Sequence, residues 1–168
     1  MVDLIADGAA RGLPVTLGRA SLVGFDPGPV TSIAPFPGRA VPGFPTPGQV
    51  VAQGAGRMVW AGRGMAFLIG APAPDLQGQA AVTDQSDGWV WVTLSGADAV
   101  AVLARLVPLD LRPQAFPAGT TARSTLGHLP VLLIREAVDT FRIAAFRSMA
   151  GSLVHDLTGA MRAVAARR

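Results

Sequence analysis

The clearest hydrophobic pattern lies in the second half of the chain. Residues Trp89–Leu94 are almost all apolar, and a run rich in tryptophan and valine predicts a strand. Both faces of that run are apolar, so we expect it to be covered on both sides. Beyond it, apolar residues recur at the spacing of one buried helical stripe. This stripe consists of Ala99, Val102, Leu103 and Leu106.

The start of this helix carries a capping pattern. Ser95 is a suitable N-cap residue, and Asp98 lies in the first turn, near the positive end of the helix dipole. Pro108 ends the helix, because proline has no backbone N–H and clashes with the preceding turn. We therefore predict a helix between Ser95 and Pro108.

The remainder of the second half predicts three strands and a long final helix. A turn is predicted at Gly127–Pro130 between the first two strands. The predicted strands are Thr121–Thr125, Val131–Arg135 and Phe141–Phe146. The final helix is predicted over Ser148–Ala165, because apolar residues recur along one of its faces. These residues are Met149, Leu153, Leu157, Met161 and Val164.

The first half of the chain has weaker patterns. Residues 1–44 are predicted to be irregular because prolines recur along them, apart from a short strand at Val30–Ala34. The motif Thr46–Gln49 matches a capping box with proline at the first helical position. It predicts a short helix that ends near Gly54 or Gly56.

A hairpin is predicted next. The apolar runs Met58–Trp60 and Met65–Ile69 are separated by Gly62–Gly64, which is typical of two strands joined by a tight turn. A further short helix is predicted within Pro72–Ala81. The first half therefore contains the same kinds of element as the second.

These elements predict an α+β domain of mainly antiparallel strands, arranged as two similar halves that pack against helices. The length of 168 residues fits one domain, residues 1–168. Acids rather than bases in Met1–Asp7 argue against a secretion signal, and no apolar run approaches the roughly 20 residues needed to cross a bilayer. We therefore expect a cytoplasmic protein that binds no membrane.

Composition removes several kinds of chemistry. The sequence contains no Cys, Lys, Tyr or Asn, and all 14 basic residues are arginines. It therefore has no thiolate nucleophile, no cysteine zinc site, and no lysine for a Schiff base or a phosphate-binding loop. The arginines are spread from Arg11 to Arg168 with acids between them. This pattern disfavours nucleic-acid binding, which needs positive charge clustered on one face.

Few of the remaining residues could carry chemistry. His128 lies in a predicted turn, and His155 lies next to Asp156 on a helix, where adjacent side chains point in different directions. No serine motif of a catalytic triad and no histidine spacing of a zinc site is present. We assign no catalytic, cofactor-binding or metal-ligating residue.

Asp84 and Asp87 allow two interpretations. They are either paired carboxylates with a catalytic role or an Asx-type turn that leads into the next strand. The spacing alone favours the turn.

Two further groups, the small residues of the final helix and the tryptophans, each allow two interpretations. Small residues at i+4 steps on the final helix either admit the backbone of a partner or pack inside the protein. This group is Gly151, His155, Gly159 and Ala163. The tryptophans form part of the core or a patch that faces a partner, because aromatic residues are enriched at interfaces. They are Trp60, Trp89 and Trp91.

A series of motifs in the second half resembles a known family. The motifs are Asp84–Trp89, Leu94–Ala99, Leu103–Leu111, Phe116–Arg123 and Phe146–Leu153. Together they resemble the gamma subunit of heterotetrameric sarcosine oxidase, and the best-matched part is residues 84–166. The segments Ser32–Gly38 and Gly62–Gly64 also fit, more loosely.

That family is similar in turn to the folate-binding aminomethyltransferases of the glycine cleavage system, so the resemblance implies an aminomethyltransferase-like fold. Those enzymes carry an aspartate in the strand after the Gly-Thr segment, whereas the corresponding residues His128–Ile134 contain no acid. They also carry an asparagine after the last strand, and this chain has none. These departures imply that the one-carbon chemistry does not reside in this chain.

The resemblance implies a complex that oxidatively demethylates sarcosine to glycine, passes the one-carbon unit to tetrahydrofolate and makes hydrogen peroxide from oxygen. No cofactor is expected in this chain. FAD, FMN, NAD and tetrahydrofolate are implied on the larger subunits, and zinc on the smallest. The implied partners are the alpha, beta and delta subunits, with alpha contacted most directly.

The first hypothesis for function is therefore a non-catalytic gamma subunit that stabilises such an assembly. The alternative is a stand-alone folate-binding, one-carbon transfer protein, which needs an acid to hold the pterin. Asp84, Asp87 and Asp110 are the candidates for that acid. A third hypothesis, an arginine-rich RNA-binding module, predicts binding that depends steeply on salt.

Overall fold

The computed structural model of the chain describes residues 9–167. The segment Met1–Asp7, from which we argued against a secretion signal, lies outside the described residues, as does Arg168. Neither helix of the described chain combines the length and the apolar character that crossing a bilayer requires.

The described residues form eleven strands and two α-helices. The strands of the first half are β1 Val15–Leu17, β2 Ala20–Gly24, β3 Val30–Pro35, β4 Val50–Gln53, β5 Gly56–Gly62, β6 Met65–Ile69 and β7 Ala80–Asp84. The second half contains β8 Trp89–Ser95, α1 Ala99–Leu103, β9 Thr120–Leu126, β10 Leu129–Ala137, β11 Thr140–Phe146 and α2 Ala150–Ala165. Single 3-10 turns at Ser86–Gly88 and Arg147–Met149 precede β8 and α2.

The strands form two antiparallel sheets. The six-stranded sheet has the order β1-β2-β8-β11-β10-β9, and the five-stranded sheet has the order β4-β5-β6-β3-β7. The predicted α+β class with mainly antiparallel strands is confirmed. So are the predicted strands of the second half and the hairpin around Gly62–Gly64, which joins β5 and β6.

Strand β8 lies at the centre of the molecule. Val90, Val92 and Leu94 point to the core beneath the helices, whereas Trp89 and Trp91 point to the core between the two sheets. This alternation is the period-two geometry of a strand. The prediction that this strand is covered on both sides is confirmed.

Both helices of the described chain pack on the same face of the six-stranded sheet. In α2 the residues Leu153, Leu157 and Met161 are buried, as predicted for its core face. The five-stranded sheet covers the other face of the six-stranded sheet, and loop residues such as Val41 and Leu76 cover its own outer face. The core is therefore built in layers around the six-stranded sheet.

The prediction that residues 1–44 are irregular is wrong in part. β1 and β2 form a hairpin there, and β2 pairs with β8, so that Leu22 lies opposite Leu94 and is fully buried. The short strand predicted at Val30–Ala34 is confirmed as β3. The sequence pattern does not predict this hairpin, because β1 has only three residues and the hairpin is stabilised by pairing with β8, which is far away in the sequence.

The helix predicted at Thr46–Gln49 is also wrong. The Gln49 side chain accepts the predicted bond from the Thr46 N–H at 3.3 Å, but Gly48 has a positive φ of 79° and turns the chain. The Gly48 carbonyl accepts from the Thr121 N–H at 2.9 Å, and the Gln49 carbonyl accepts from the Trp60 N–H at 3.0 Å. Tertiary contacts with β9 and β5 thus replace the helical hydrogen bonds.

No helix forms within Pro72–Ala81. Asp75 accepts a hydrogen bond from the Gln77 N–H at 3.0 Å, which is an Asx-type turn, and Gly78 has a positive φ of 72°. The prolines of this segment have no backbone N–H to donate. The last two residues, Ala80 and Ala81, belong to β7 instead.

The start of α1 differs from its prediction. Ser95 is the last residue of β8 rather than an N-cap, and the helix begins at Ala99 and ends at Leu103. Asp98 is the N-cap residue but makes no capping bond with its side chain. Its carboxylate instead accepts from the Arg19 N–H at 3.0 Å, which ties the β1–β2 turn to the helix.

Candidate functional site

The two histidines lie on separate, exposed elements of the structure. His128 is exposed in the turn between β9 and β10, and His155 is exposed on the outer face of α2. Within residues 9–167, no group of three or more His, Cys, Asp or Glu side chains is arranged to hold a metal ion.

Asp84 forms the predicted Asx-type turn. Its carboxylate accepts from the Ser86 N–H at 2.9 Å and from the Ser86 hydroxyl at 2.6 Å. These hydrogen bonds, the side-chain bond first, lower the pKa of Asp84. The Ser86 hydroxyl oxygen accepts from the Val30 N–H at 3.1 Å, so the turn also fixes the start of β3. Asp84 therefore has a structural role.

Asp110 is held by a neighbour in the loop after α1. The Arg112 guanidinium and its backbone N–H both donate to this carboxylate, with Nε at 2.9 Å from each oxygen. The side-chain hydrogen bond from Arg112 is the main reason that the pKa of Asp110 falls to about 2. Both side chains are exposed, so this pair orders the local turn.

A cavity lies beside β8. Its volume is about 590 Å³, and its walls include Phe25, Asp87, Trp91 and Arg147. Asp87 is the one member of the three proposed pterin-holding acids that lines it. The buried Trp91 indole N–H has no hydrogen-bond partner among the described residues. The cavity thus combines aromatic walls with a carboxylate and a guanidinium.

The tryptophans serve mainly as core. Trp89 and Trp91 are 7% and 3% exposed, and both lie between the two sheets. Trp89 contacts Phe67 edge-on at 5.2 Å between ring centroids and Phe146 at 4.7 Å. The core interpretation is therefore correct for these two residues, and Phe146, at 40% exposed, extends the group to the surface.

An ionic group that the sequence did not reveal joins the two sheets. Arg57 of β5 donates from Nη1 to Glu136 Oε2 of β10 at 2.9 Å, and Arg142 Nε of β11 lies 3.1 Å from Glu136 Oε1. Arg142 also lies over the Phe25 ring, 3.8 Å from its centroid. Burial, as the largest cause, lowers the pKa of Arg142. This group stabilises the contact between the layers.

A second unpredicted feature is Arg135, which is 1% exposed. Its Nη1 donates to the carbonyls of Leu111 at 2.8 Å and Phe116 at 2.7 Å. Its other nitrogens donate to the carbonyls of Ala137 and Val138. The only signal in the sequence is one arginine that ends an apolar run, and Arg135 acts as an anchor for the loop before β9.

The stripe of small residues lies on the outer surface of α2. Gly151 and Gly159 are both exposed. The alternative that these two glycines pack inside the protein is therefore wrong.

Comparison with known proteins identifies a shared fold. No family model and no curated protein matches the sequence. A chain of the heterotetrameric sarcosine oxidase from Corynebacterium sp. U-96, solved in complex with pyrrole 2-carboxylate, has the same fold with a TM-score of 0.76. The match covers 94% of this chain and 91% of that chain, at 24% sequence identity. The similarity thus extends over nearly the whole domain.

Proposed function

We propose that this chain is a non-catalytic, gamma-type subunit of a heterotetrameric sarcosine oxidase complex, in which it stabilises the assembly. The observation that carries the proposal is the fold shared with a chain of such an enzyme over 94% of this chain. The motifs of residues 84–166 support the same assignment. A shared fold leaves function open, so the argument also depends on the side chains.

The side chains support a role without turnover. The two histidines lie on separate exposed elements, and Asp84 and Asp110 are each held in a local turn by hydrogen bonds. General acid–base catalysis needs such groups within hydrogen-bond reach of one another or of the substrate. Exposed, separated or locally bonded groups do not supply that arrangement.

The proposal assigns the chemistry to the sister subunits. In it, FAD, FMN, NAD and tetrahydrofolate are bound by the larger subunits and zinc by the smallest, and the complex demethylates sarcosine to glycine in the cytoplasm. This chain contacts the alpha subunit most directly, and the beta and delta subunits complete the complex.

Coexpression tests the proposal. The tagged full chain is produced together with the alpha, beta and delta subunits from the same source organism, and the purified material is assayed for flavin absorbance and sarcosine-dependent peroxide formation. We expect a stoichiometric complex whose turnover is unchanged by His128→Gln in this chain. Recovery of the tagged chain alone, free of flavoprotein, contradicts the proposal.

The alternative of a stand-alone folate-binding protein draws on one observation, the cavity lined by Asp87 and two tryptophans. Titration of the isolated chain with tetrahydrofolate distinguishes it from the first proposal. A dissociation constant near 1 µM, about −8 kcal/mol, that is lost in Asp87→Asn supports the alternative. Absence of binding leaves the subunit proposal as the better account.

A further inference from the structure

The outer face of α2 carries two glycines that the fold does not require. A Cβ atom built at Gly151 or Gly159 meets nothing within 4 Å among the described residues, and neither glycine has a positive φ. Glycine inside a helix destabilises it relative to alanine. Neither packing within residues 9–167 nor backbone conformation explains why these positions lack side chains.

Two grooves run along the sides of this face. Each has a volume of about 300 Å³, and His155 lines both. The first groove lies between α2 and the end of α1 and is lined by Arg105 and Gly159. The second lies between α2 and the segment before β1 and is lined by Gly151 and Arg162. The small residues thus form a low ridge between the two grooves.

A buried polar group independently marks the second groove. Thr158 lines that groove and is 8% exposed, and its hydroxyl has no hydrogen-bond partner among the described residues. A buried hydroxyl without a partner destabilises the folded state, because it has lost its hydrogen bonds to water. A polar group brought in by a docked partner would satisfy it.

The charge of the grooves indicates the chemistry of that partner. Two arginines, Arg105 and Arg162, line them together with His155, and the acid among the lining residues is Asp156. Complementary charge at an interface favours the correct partner and speeds its association. The surface therefore suits an acidic partner rather than a basic one.

We propose that the outer face of α2 is the surface that docks on the alpha subunit. This face receives a helix of that subunit that carries acidic side chains beside small ones. Packed helices approach to about 8 Å between axes when the residues at the contact are small. The ridge of glycines permits that approach, and the grooves receive the flanking side chains. This inference rests on the proposed function, because it names the surface through which that assembly forms.

The variant Gly159→Gln tests the close approach without harming the fold. Glutamine is a better helix former than glycine, and the position is open, so the isolated chain is expected to unfold at the same or a higher temperature. Its affinity for the coexpressed larger subunits is expected to fall at least about tenfold. Ala81→Gln is the matched control, because Ala81 is exposed on β7 in the sheet remote from the helices, and it should bind like the wild type.

A charge reversal tests the acidic partner. Arg105→Glu combined with Arg162→Glu is expected to weaken assembly and to abolish part of its salt dependence. Arg39→Glu combined with Arg63→Glu is the control, because these arginines are also exposed but belong to loops of the five-stranded sheet. Equal effects of the two double variants contradict the charge argument.

The outcomes separate the two proposals. If the wild-type chain assembles with the larger subunits and Gly159→Gln assembles equally well, the docking surface is wrong and the proposed function stands. If no flavoprotein copurifies with the wild-type chain, the proposed function fails and this inference fails with it. If the wild-type chain self-associates and Gly159→Gln makes it monomeric, a second copy occupies the face and the inference is overturned.

Discussion

Glu136 is the single glutamate of the chain, and it lies between two arginines that come from different sheets. Arg57 is 79 residues away in the sequence, so no local pattern could have indicated the pair. Asp84 is the opposite case, because its partner Ser86 is two residues away and the Asx-type turn was predicted correctly. At the residue scale, prediction therefore succeeded for short-range contacts and failed for those that depend on the fold.

Glu136→Gln should destabilise the protein. The substitution leaves Arg57 and Arg142 without their carboxylate, in a site where all three side chains are less than 30% exposed. Removing one partner of a fully buried ion pair costs 3–5 kcal/mol, and this site is partly solvated, so we expect a loss of about 2 kcal/mol in the free energy of unfolding.

Chemical denaturation measures that loss, and Asp110→Asn is the control. Asp110 also pairs with an arginine, but the pair is exposed and screened by solvent, so its loss should destabilise the protein much less. If the two variants lose equal stability, Glu136 does not join the layers as described.

The Asp110 pair gives a prediction of pH dependence. Its folded pKa of about 2 lies below the ordinary value, so the pair stabilises the folded state when the pH is above the pKa of the unfolded chain. That contribution is lost as the pH falls towards 2. Carboxyl chemical shifts followed by NMR should show the low midpoint. Arg112→Ala should raise it towards the ordinary aspartate value of roughly 4 but not fully to it, because the backbone N–H of residue 112 still donates to the carboxylate. An unchanged midpoint in the variant contradicts the role given to Arg112.

At the scale of elements, the strands predicted from runs of apolar residues form in the structure. The helix predicted from a capping motif alone does not. Thr46–Gln49 has the residues of a capping box, but no stripe of apolar residues follows it that could stabilise a helix by packing against the core. The final helix had both a long apolar stripe and a polar face, and it forms at α2. A capping motif alone is thus a weak predictor, because most helical stability comes from tertiary packing.

Arg135 decides the position of the long loop between α1 and β9. Arg135→Met removes the donors to the carbonyls of Leu111 and Phe116, which then remain buried without partners. Each lost bond of this kind costs about 1–3 kcal/mol, so for the two carbonyls we expect at least about 2 kcal/mol of destabilisation. Hydrogen exchange should also become faster in this loop.

Gln114→Met is the control for Arg135→Met, because it places methionine at an exposed residue of the same loop. We expect it to leave exchange in the loop close to that of the wild type. If the two variants behave alike, the buried guanidinium does not anchor the loop.

At the scale of the whole molecule, the main gap in the prediction was how the first half joins the second. The antiparallel α+β class followed from the patterns of individual elements. The pairing of β2 with β8 did not, because it brings residues near the start of the chain into the sheet of the second half. Long-range pairing of this kind leaves no periodic signal in either segment, and it makes the two halves share one core.

Leu22→Ala tests that shared core. Leu22 is 0% exposed and packs among residues of β8 and the two helices, so we expect a loss of about 3 kcal/mol in the free energy of unfolding. Phe36→Ala, at an exposed residue after β3, should cost much less. Tryptophan fluorescence reports the core between the sheets and circular dichroism reports the secondary structure, so coincident transitions in both variants indicate one cooperative unit. A small effect of Leu22→Ala, or separate transitions by the two probes, would mean that the β1–β2 hairpin docks on an already folded domain.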